Sequence, residues 1–208
     1  MNLAPLSGLR LRTPRLELHL PDDDAIEQLY RVAAAGIHPP EEMPFGVAWT
    51  DDLNRELFIG YHRNLRESWR PDAWKIDLGV WAEGTLVGVQ GIGADDFASK
   101  RTIATGSWLG APYQGRGIGT EMRAAVLELA FTHLRSQAVT SGAFEANLAS
   151  RRVSEKLGYR VVGREMLSPR GAPQPHVVLR LERADWHGPP VSVEIEGVAP
   201  CLALFGAG

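Results

Sequence analysis

The chain has 208 residues, of which 44% are hydrophobic and 23% are charged, and its net charge is -3. This size and composition are typical of one soluble globular domain, and the sequence has no basic stripe of the kind that binds nucleic acid. Cys201 is the single cysteine, which excludes an internal disulfide. Arg10, Arg12 and Arg15 interrupt the N-terminal apolar residues, and nothing approaches a membrane-spanning run. We therefore expect a cytoplasmic protein with neither a signal peptide nor a membrane partner.

The first half of the chain predicts a strand, two helices and three further strands. Residues 9–20 alternate apolar and polar positions, as in a half-buried strand. Asp22 or Asp23 is placed to cap a first helix. A proline-rich loop over 37–50 follows, and a second amphipathic helix is expected over 51–70. The next three strand signals lie at 74–82, 86–93 and 102–109.

The second half of the chain predicts two helices, three strands and a short extension. Helices are expected at 120–134 and 148–157, and strands at 138–145, 159–166 and 175–182. Gly158 ends the second of these helices. The resulting order β-α-α-β-β-β-α-β-α-β-β indicates a mixed α+β sheet, not a strict βαβ alternation.

The C-terminal segment is predicted to be an appendage of the main body. Pro189 and Pro190 mark a joint, so we divide the chain into a domain over 1–187 and an extension over 188–208. The segment VSVEIEGV predicts an extra strand and PCLALFG an extended tail, packed on the body or on a second subunit. Because a lone strand edge tends to find a partner, we expect a homo-oligomer.

The loop between the third helix and the strand before it carries the clearest chemical signal. Gly115, Gly117 and Gly119 stand at alternate positions directly before the helix. Glycines allow an anion to approach the main chain closely, and a helix N-terminus offers free N–H groups and partial positive charge. The pattern predicts an anion site of pyrophosphate size, to which Thr120 adds a hydroxyl donor.

Three nucleotide-binding motifs compete for this loop. A P-loop requires lysine and then serine or threonine after its last glycine, whereas this chain has Gly119-Thr120-Glu121. A Rossmann fingerprint, GxGxxG, belongs to the first βα turn, whereas GxGxG here follows an antiparallel meander deep in the chain. The coenzyme A loop, Gln/Arg-x-x-Gly-x-Gly/Ala, matches as Gln114-x-x-Gly117-x-Gly119. The spacing therefore favours coenzyme A.

With this loop in place, the chain resembles the GNAT superfamily of N-acetyltransferases, in particular its RimJ/RimL type. The resemblance runs from TPRLEL at 13–18 to the vicinity of Trp186. It includes YQGRGIGTEMRAAVL and the segment at 147–159, NLASRRVSEKLGY, which is similar to the family's NxxSxxxxEKxGF/Y. Within this group the chain is similar to an actinobacterial acyltransferase associated with succinyl-coenzyme A. That closer similarity rests on Met43-Pro44-Phe45 with Trp49, on GSWLG, and on Cys201 before Leu204-Phe205-Gly206.

The resemblance implies the α+β GNAT fold, with a mixed, mostly antiparallel sheet splayed at the cofactor site, helices on both faces and a C-terminal strand extension. It implies acetyl-CoA or succinyl-CoA as the acyl donor, and no metal. The pantetheine arm is expected to enter between two splayed strands and to pair with their backbone. Asn147 also stands where an N-cap is expected, and the two roles are compatible. The residues implied to bind the cofactor are Trp108, Leu109, Gln114, Gly115, Arg116, Gly117, Ile118, Gly119, Thr120, Asn147 and Ser150.

The implied reaction is direct attack of a primary amine on the thioester in a ternary complex. A strand N–H near Leu109 is expected to bind the oxyanion. Many relatives use a tyrosine as the acid at the position of Ser154, so here Ser154, Ser150 or solvent is left to protonate the thiolate. Glu145 is the first candidate base and Ser107 a weaker one. The alternative interpretations are that Glu145 is a solvated carboxylate at a strand end and that Ser154 is a structural serine on a helix.

The proline-rich loop is expected to select the acceptor, an amine of a small molecule or a protein, through His38, Glu42, Met43 and Phe45. Acetyl is the default acyl group of the family. A succinyl group would need donors for its terminal carboxylate. Three functions stay open at this point: an N-acyltransferase, a non-catalytic acyl-CoA sensor, which the serine at 154 keeps open, and a nucleotide-binding protein, against which the missing P-loop lysine argues.

Overall fold

The alternating and apolar segments form one nine-stranded sheet in the computed structural model, which describes residues 2–207. The strands are β1 (Arg10–Arg12), β2 (Leu16–His19), β3 (Ala73–Ala82), β4 (Thr85–Asp95), β5 (Thr102–Leu109), β6 (Ala138–Phe144), β7 (Arg160–Leu167), β8 (Gln174–Glu182) and β9 (Glu194–Glu196). The helices are α1 (Asp23–Ala34), α2 (Arg55–Glu67), the single turn α3 (Phe97–Lys100), α4 (Ile118–Glu128) and α5 (Leu148–Lys156). Short 3₁₀ turns occur at Ala4–Gly8, Ala111–Tyr113, Arg183–Asp185 and Ala199–Cys201.

The strand order in the sheet is β7-β8-β6-β5-β4-β3-β2-β1-β9, and each neighbouring pair is antiparallel except β5 and β6. This parallel pair is joined only from Thr102 opposite Ala138 to Ala104 opposite Thr140. Beyond that point β5 runs on to Leu109 and β6 to Phe144, and the two strands no longer pair with each other. The sheet is thus mixed and mostly antiparallel, as predicted, and it opens into a V between its two parallel strands. We call this V the cleft.

Helices cover the two faces of the sheet and divide the core into two clusters. On one face, α4 packs Met122 and Val126 against strand residues such as Ile103. On the other face, α1 and α2 pack Leu29 and Phe58 against Val89. We refer to these as the α4 face and the α1 face. Within residues 2–207, no helix is both long enough and apolar enough to cross a membrane.

Several element boundaries differ from the sequence-based prediction, and each difference has a local cause. The predicted strand over 9–20 is a hairpin, in which Arg10 pairs with His19 and a turn containing Pro14 interrupts the ladder. The second helix begins at Arg55 because the side chain of Asn54 accepts a hydrogen bond from the N–H of Leu57. The helix predicted over 120–134 starts two residues earlier and ends in a π-helical turn at Leu129–His133.

The C-terminal extension packs on the same chain. β9 pairs with β1, with Ile195 opposite Leu11. The prediction of an extended tail was wrong, because the residues after β9 coil into short turns that bury Cys201 and Phe205. Residues four positions apart would be roughly 13 Å apart along an extended tail, whereas the coiled turns bring both side chains into one buried site. Burial raises the pKa of the Cys201 thiol.

Candidate active site

The glycine loop leaves the start of α4 open to solvent. Gly115 and Gly117 have φ values of 72° and 81°, in the left-handed region that favours glycine. Gly117 is the residue before α4, and no side chain caps the helix at this end. The loop from Gln114 to Gly117 is exposed. The first N–H groups of α4 are therefore available to an anion such as a pyrophosphate.

Hydrogen bonds to the backbone of Ile37 and Leu109 and from the side chain of Arg15 hold this loop in shape. The Gln114 amide donates to the carbonyl oxygens of Ile37, at 2.7 Å, and Leu109, at 2.8 Å. Arg15 donates through an Nη atom to the Arg116 carbonyl, at 3.1 Å, and through Nε to the buried Glu121 carboxylate, at 2.7 Å. Gln114 thus turns inward and braces the loop. The brace from Arg15 was not predicted from the sequence, although Arg15 belongs to the matched TPRLEL segment.

A buried arginine spans the cleft on the α4 face. Arg123 is 3% exposed, and it donates to the hydroxyl oxygens of Ser107 on β5, at 3.1 Å, and Ser141 on β6, at 3.2 Å. The Ser141 hydroxyl in turn donates to the carbonyl of Thr105, at 3.2 Å. Side-chain bonds therefore link the two strands where their backbone ladder has stopped.

The charge of Arg123 is not neutralised by the protein. Among residues 2–207, no carboxylate forms an ion pair with this guanidinium, and its buried Nε has no hydrogen-bond partner. Burying an unpaired charge is costly, so such a group is usually retained where it meets an anion or a developing negative charge. The sequence did contain a signal for it, because Arg123 interrupts an otherwise apolar run of α4.

The start of α5 borders the cleft, and its polar residues are largely occupied within the protein. Asn147 caps the helix by accepting a hydrogen bond from the N–H of Ser150, at 3.0 Å. Ser154 is fully buried, and its hydroxyl donates to the Ser150 carbonyl, at 3.2 Å. The Glu145 carboxylate accepts a hydrogen bond from Arg164 Nε at 2.9 Å. Tyr159, whose pKa burial raises, places its hydroxyl 3.4 Å from that of Thr105.

The predicted acceptor loop lies on the α1 face beside the outer end of β5. Phe45 and Trp49 have ring centroids 5.1 Å apart, and Trp49 lies 6.0 Å from Trp108 on β5. Met43 is buried, as core residues are, while Glu42 is exposed. Both ring nitrogens of His38 are engaged, with the Pro39 carbonyl and the Thr50 hydroxyl.

A pocket of about 480 Å³ adjoins this loop, and His38, Asp51 and Arg170 contribute to its lining. Two hydrogen bonds from Arg170 hold the pKa of the Asp51 carboxyl below its ordinary value. This ion pair joins the loop to the turn between β7 and β8. In the part of the chain that the structure describes, no group of three or more His, Cys, Asp or Glu residues is arranged to hold a metal ion.

Comparison with known proteins supports the arrangement of cleft and loop. A family model described as the acetyltransferase (GNAT) domain matches residues 15–160. The structure of Mycobacterium smegmatis RimJ in complex with CoA-disulfide superposes with a TM-score of 0.72, at 19% identity over 96% of this chain and 95% of that chain. A candidate ribosomal-protein-serine acetyltransferase from Vibrio cholerae gives a TM-score of 0.66, at 20% identity over 83% and 97% of the two chains.

A third similar structure is RimL, described as a ribosomal L7/L12 alpha-N-protein acetyltransferase in complex with coenzyme A. It gives a TM-score of 0.65, at 14% identity over 82% of this chain and 95% of that chain. At these identities the structural likenesses establish the fold. The family model covers well over half of the chain, and it contains the glycine loop, the cleft and the helix that begins after Asn147. The chain therefore belongs to the GNAT acetyltransferase family.

Proposed function

We propose that this protein transfers an acyl group from coenzyme A to a primary amine. The observation that carries the proposal is the uncapped, glycine-lined start of α4 placed beside the cleft between β5 and β6. A pyrophosphate at the helix start leaves the pantetheine arm free to lie along the unpaired edge of β5, near Trp108 and Leu109. Two reactants held in one cleft react without the entropic cost of a collision.

The chemistry proposed for the cleft is direct attack on the thioester. The amine nitrogen forms a bond to the carbonyl carbon, the carbonyl oxygen becomes an oxyanion, and the C–S bond then breaks to release coenzyme A as a thiolate. A free N–H on the unpaired edge of β5 would stabilise the oxyanion. Ser154 is a poor proton donor in this position, because its hydroxyl is buried and already bonded to Ser150. Solvent is the better source of that proton.

The acyl group is proposed to be acetyl or succinyl, and Arg123 supports the second. A guanidinium that is buried without a carboxylate partner is suited to bind the terminal carboxylate of a dicarboxylic acyl group. We expect the ratio of kcat/KM for succinyl-CoA over acetyl-CoA to fall at least about tenfold in Arg123→Met, since charge-assisted hydrogen bonds contribute about 1.5–3 kcal/mol. An unchanged ratio would remove this support and leave acetyl as the donor.

The acceptor is proposed to be an amine of a small molecule or of a protein. The similar RimJ structure is a complex with CoA-disulfide, and the similar RimL structure, a complex with coenzyme A, is described as a ribosomal L7/L12 alpha-N-protein acetyltransferase. A protein α-amino group has a lower intrinsic pKa than a lysine side chain, so more of it is present as the reactive free amine at neutral pH. A panel of acceptors should therefore contain peptide N-termini as well as small amines.

Two measurements test the proposed function. Thermal shifts with acetyl-CoA, succinyl-CoA, ATP and NAD should show stabilisation by a coenzyme A thioester, because a ligand that binds only the folded state raises its stability. Stabilisation by ATP alone would contradict the proposal and favour a nucleotide-binding protein. Release of free thiol with the amine panel should then show turnover. Binding without thiol release from any amine would contradict catalysis and leave a protein that only senses acyl-CoA.

A further inference from the structure

The cleft is open on the α1 face, opposite α4 and the glycine loop that precedes it. Gly106 on β5 and Gly142 on β6 are level with each other, since the parallel register pairs 102 with 138. Both residues are exposed, and a Cβ atom built on Gly106 would meet nothing within 4 Å. Their open sides belong to the α1 face, because Gly106 pairs with Gly91, over which Asp77 lies. A thioester in the cleft is therefore reachable by an acceptor from this side.

His176 lies beside this opening. It is on β8 opposite Phe144, and its ring turns over Gly142, where a built Cβ would lie 2.7 Å from Nε2. Only glycine at 142 leaves room for the imidazole in this position. The ring also meets the edge of Phe144, with centroids 5.3 Å apart. Packing on two sides thus fixes the ring at the rim of the cleft.

Glu165 on β7 fixes the chemical state of this ring. Its carboxylate lies 3.1 Å from Nδ1 of His176. A carboxylate can only accept, so Nδ1 carries the proton and the lone pair of a neutral ring is on Nε2. Nε2 is the ring nitrogen nearer to Gly142, because a Cβ built there would lie 2.7 Å from Nε2 and 3.6 Å from Nδ1, and Gly142 is on β6, one of the two strands that border the cleft. A histidine whose second nitrogen is oriented by a carboxylate is a recurrent arrangement for general bases.

The other charged groups around His176 are paired among themselves. On the α1 face of β8, Arg180 is bonded to Glu182. At the end of β6, the Glu145 carboxylate is bonded to Arg164 of β7. Across the opening on β3, Asp77 accepts a hydrogen bond from Tyr61 at 3.0 Å and lies 3.8 Å from Lys75. His176 with Glu165 is therefore the pair at this rim that has an uncommitted proton-accepting atom.

We propose that His176 is the general base of the acyl transfer and that Glu165 is its positioning residue. This inference rests on the function proposed above and adds the base to it. As the amine nitrogen bonds to the thioester carbon, its proton passes to Nε2 of His176. The C–S bond breaks, the thiolate takes a proton from water, and the imidazolium returns its proton to solvent. The net reaction is amine plus acyl thioester to amide plus thiol.

The test compares His176→Gln with His187→Gln, which changes an exposed histidine that follows β8 at the end of the sheet where β5 and β6 are still paired. Steady-state thiol release is measured against pH for the best acceptor, and acyl-CoA binding is measured by thermal shift. We expect kcat of His176→Gln to fall about 100-fold or more, with acyl-CoA binding retained. The acid limb of the profile is the fall in kcat towards low pH. This fall should be absent in His176→Gln, because the variant has no imidazole to protonate at this position. His187→Gln should match the wild type.

Glu165→Gln provides a second variant that preserves the imidazole. A neutral amide stabilises the imidazolium less than a carboxylate does, so we expect the acid limb to move to lower pH and kcat to fall less than in His176→Gln. A merely structural role of Glu165 would leave the position of this limb unchanged. The shift remains measurable if His176→Gln does not fold.

The outcomes separate the two proposals. A wild-type protein that releases no thiol with any amine would overturn the proposed function and the role of His176 with it. A wild-type protein that is active, together with a folded His176→Gln whose kcat and pH profile match it, would overturn the role of His176 alone. If only His176→Ala folds, restoration of its rate by added imidazole supports the role, and wild-type activity without imidazole overturns it.

Discussion

Replacing Phe205 by alanine measures how firmly the C-terminal extension is held by the rest of the chain. The Phe205 side chain is fully buried, and its ring centroid lies 4.8 Å from that of Trp74 and 5.6 Å from that of Trp69. The two indoles donate hydrogen bonds to the carbonyl oxygens of Leu204 and Phe205, both at 3.1 Å. The residue therefore occupies a closed aromatic site.

The expected cost follows from this burial. Phe→Ala substitutions in protein cores lower the free energy of unfolding by about 3–5 kcal/mol, because contacts are lost and a cavity remains. A loss of about 4 kcal/mol would lower Tm by roughly 8–16 °C in a chain of this length. The matched control is Leu57→Ala, which truncates a side chain that is 73% exposed on α2. We expect this control to change stability by less than about 0.5 kcal/mol.

Urea unfolding and thermal melts at several protein concentrations provide the assay. The melting temperature of Phe205→Ala should fall equally at each concentration, because the aromatic site is built within one chain. A loss below about 1 kcal/mol would refute the burial argument. A loss that depends on protein concentration would show instead that the extension packs on a neighbouring subunit.

Three further predictions concern cofactor binding, pH and assembly. Gly117→Ala places an alanine at a φ of 81°, and we expect it to weaken acyl-CoA binding about tenfold or more in titrations. The control is Gly171→Ala, which is equally strained at a φ of 83° but lies outside the glycine loop, and it should leave acyl-CoA binding unchanged. Burial lowers the pKa values of His62 and His19 from their ordinary 6.5, so the unfolded chain binds more protons than the folded one at mildly acid pH. The free energy of unfolding should therefore fall as the pH drops from about 7.5 to 5.5. A urea midpoint that increases as the pH drops would contradict this sign. We also predict that light scattering will show a homo-oligomer, and a monomeric wild type would refute this prediction. Val162→Lys, on the exposed edge strand β7, should lower the measured mass of the assembly if that edge forms the contact between subunits.

Local patterns were sufficient for most of the elements. The strand at 102–109 was predicted with its exact bounds, and the helix after Asn147 was predicted to within one residue, because periodicity and capping act over a few neighbouring positions. The hairpin at β1 and β2 and the coiled tail were missed for the same reason. Whether a segment turns back or buries its side chains depends on what it meets, and Phe205 is buried by tryptophans more than a hundred residues away.

The sequence by itself determined the family and the position of the glycine loop before α4, because the spacing of Gln114, Gly117 and Gly119 is a property of one continuous segment. Only the tertiary structure decided which groups surround the cleft. Arg123 meets Ser107 and Ser141 because α4 packs across two splayed strands, and Glu165 meets His176 because the register of β7 and β8 sets them opposite each other. Glu145 and Ser154, the candidates suggested by sequence, remain predictions, but their side chains are engaged with Arg164 and Ser150. Chemistry at a sheet opening depends on cross-strand neighbours, and a linear sequence does not specify these until the register of the strands is known.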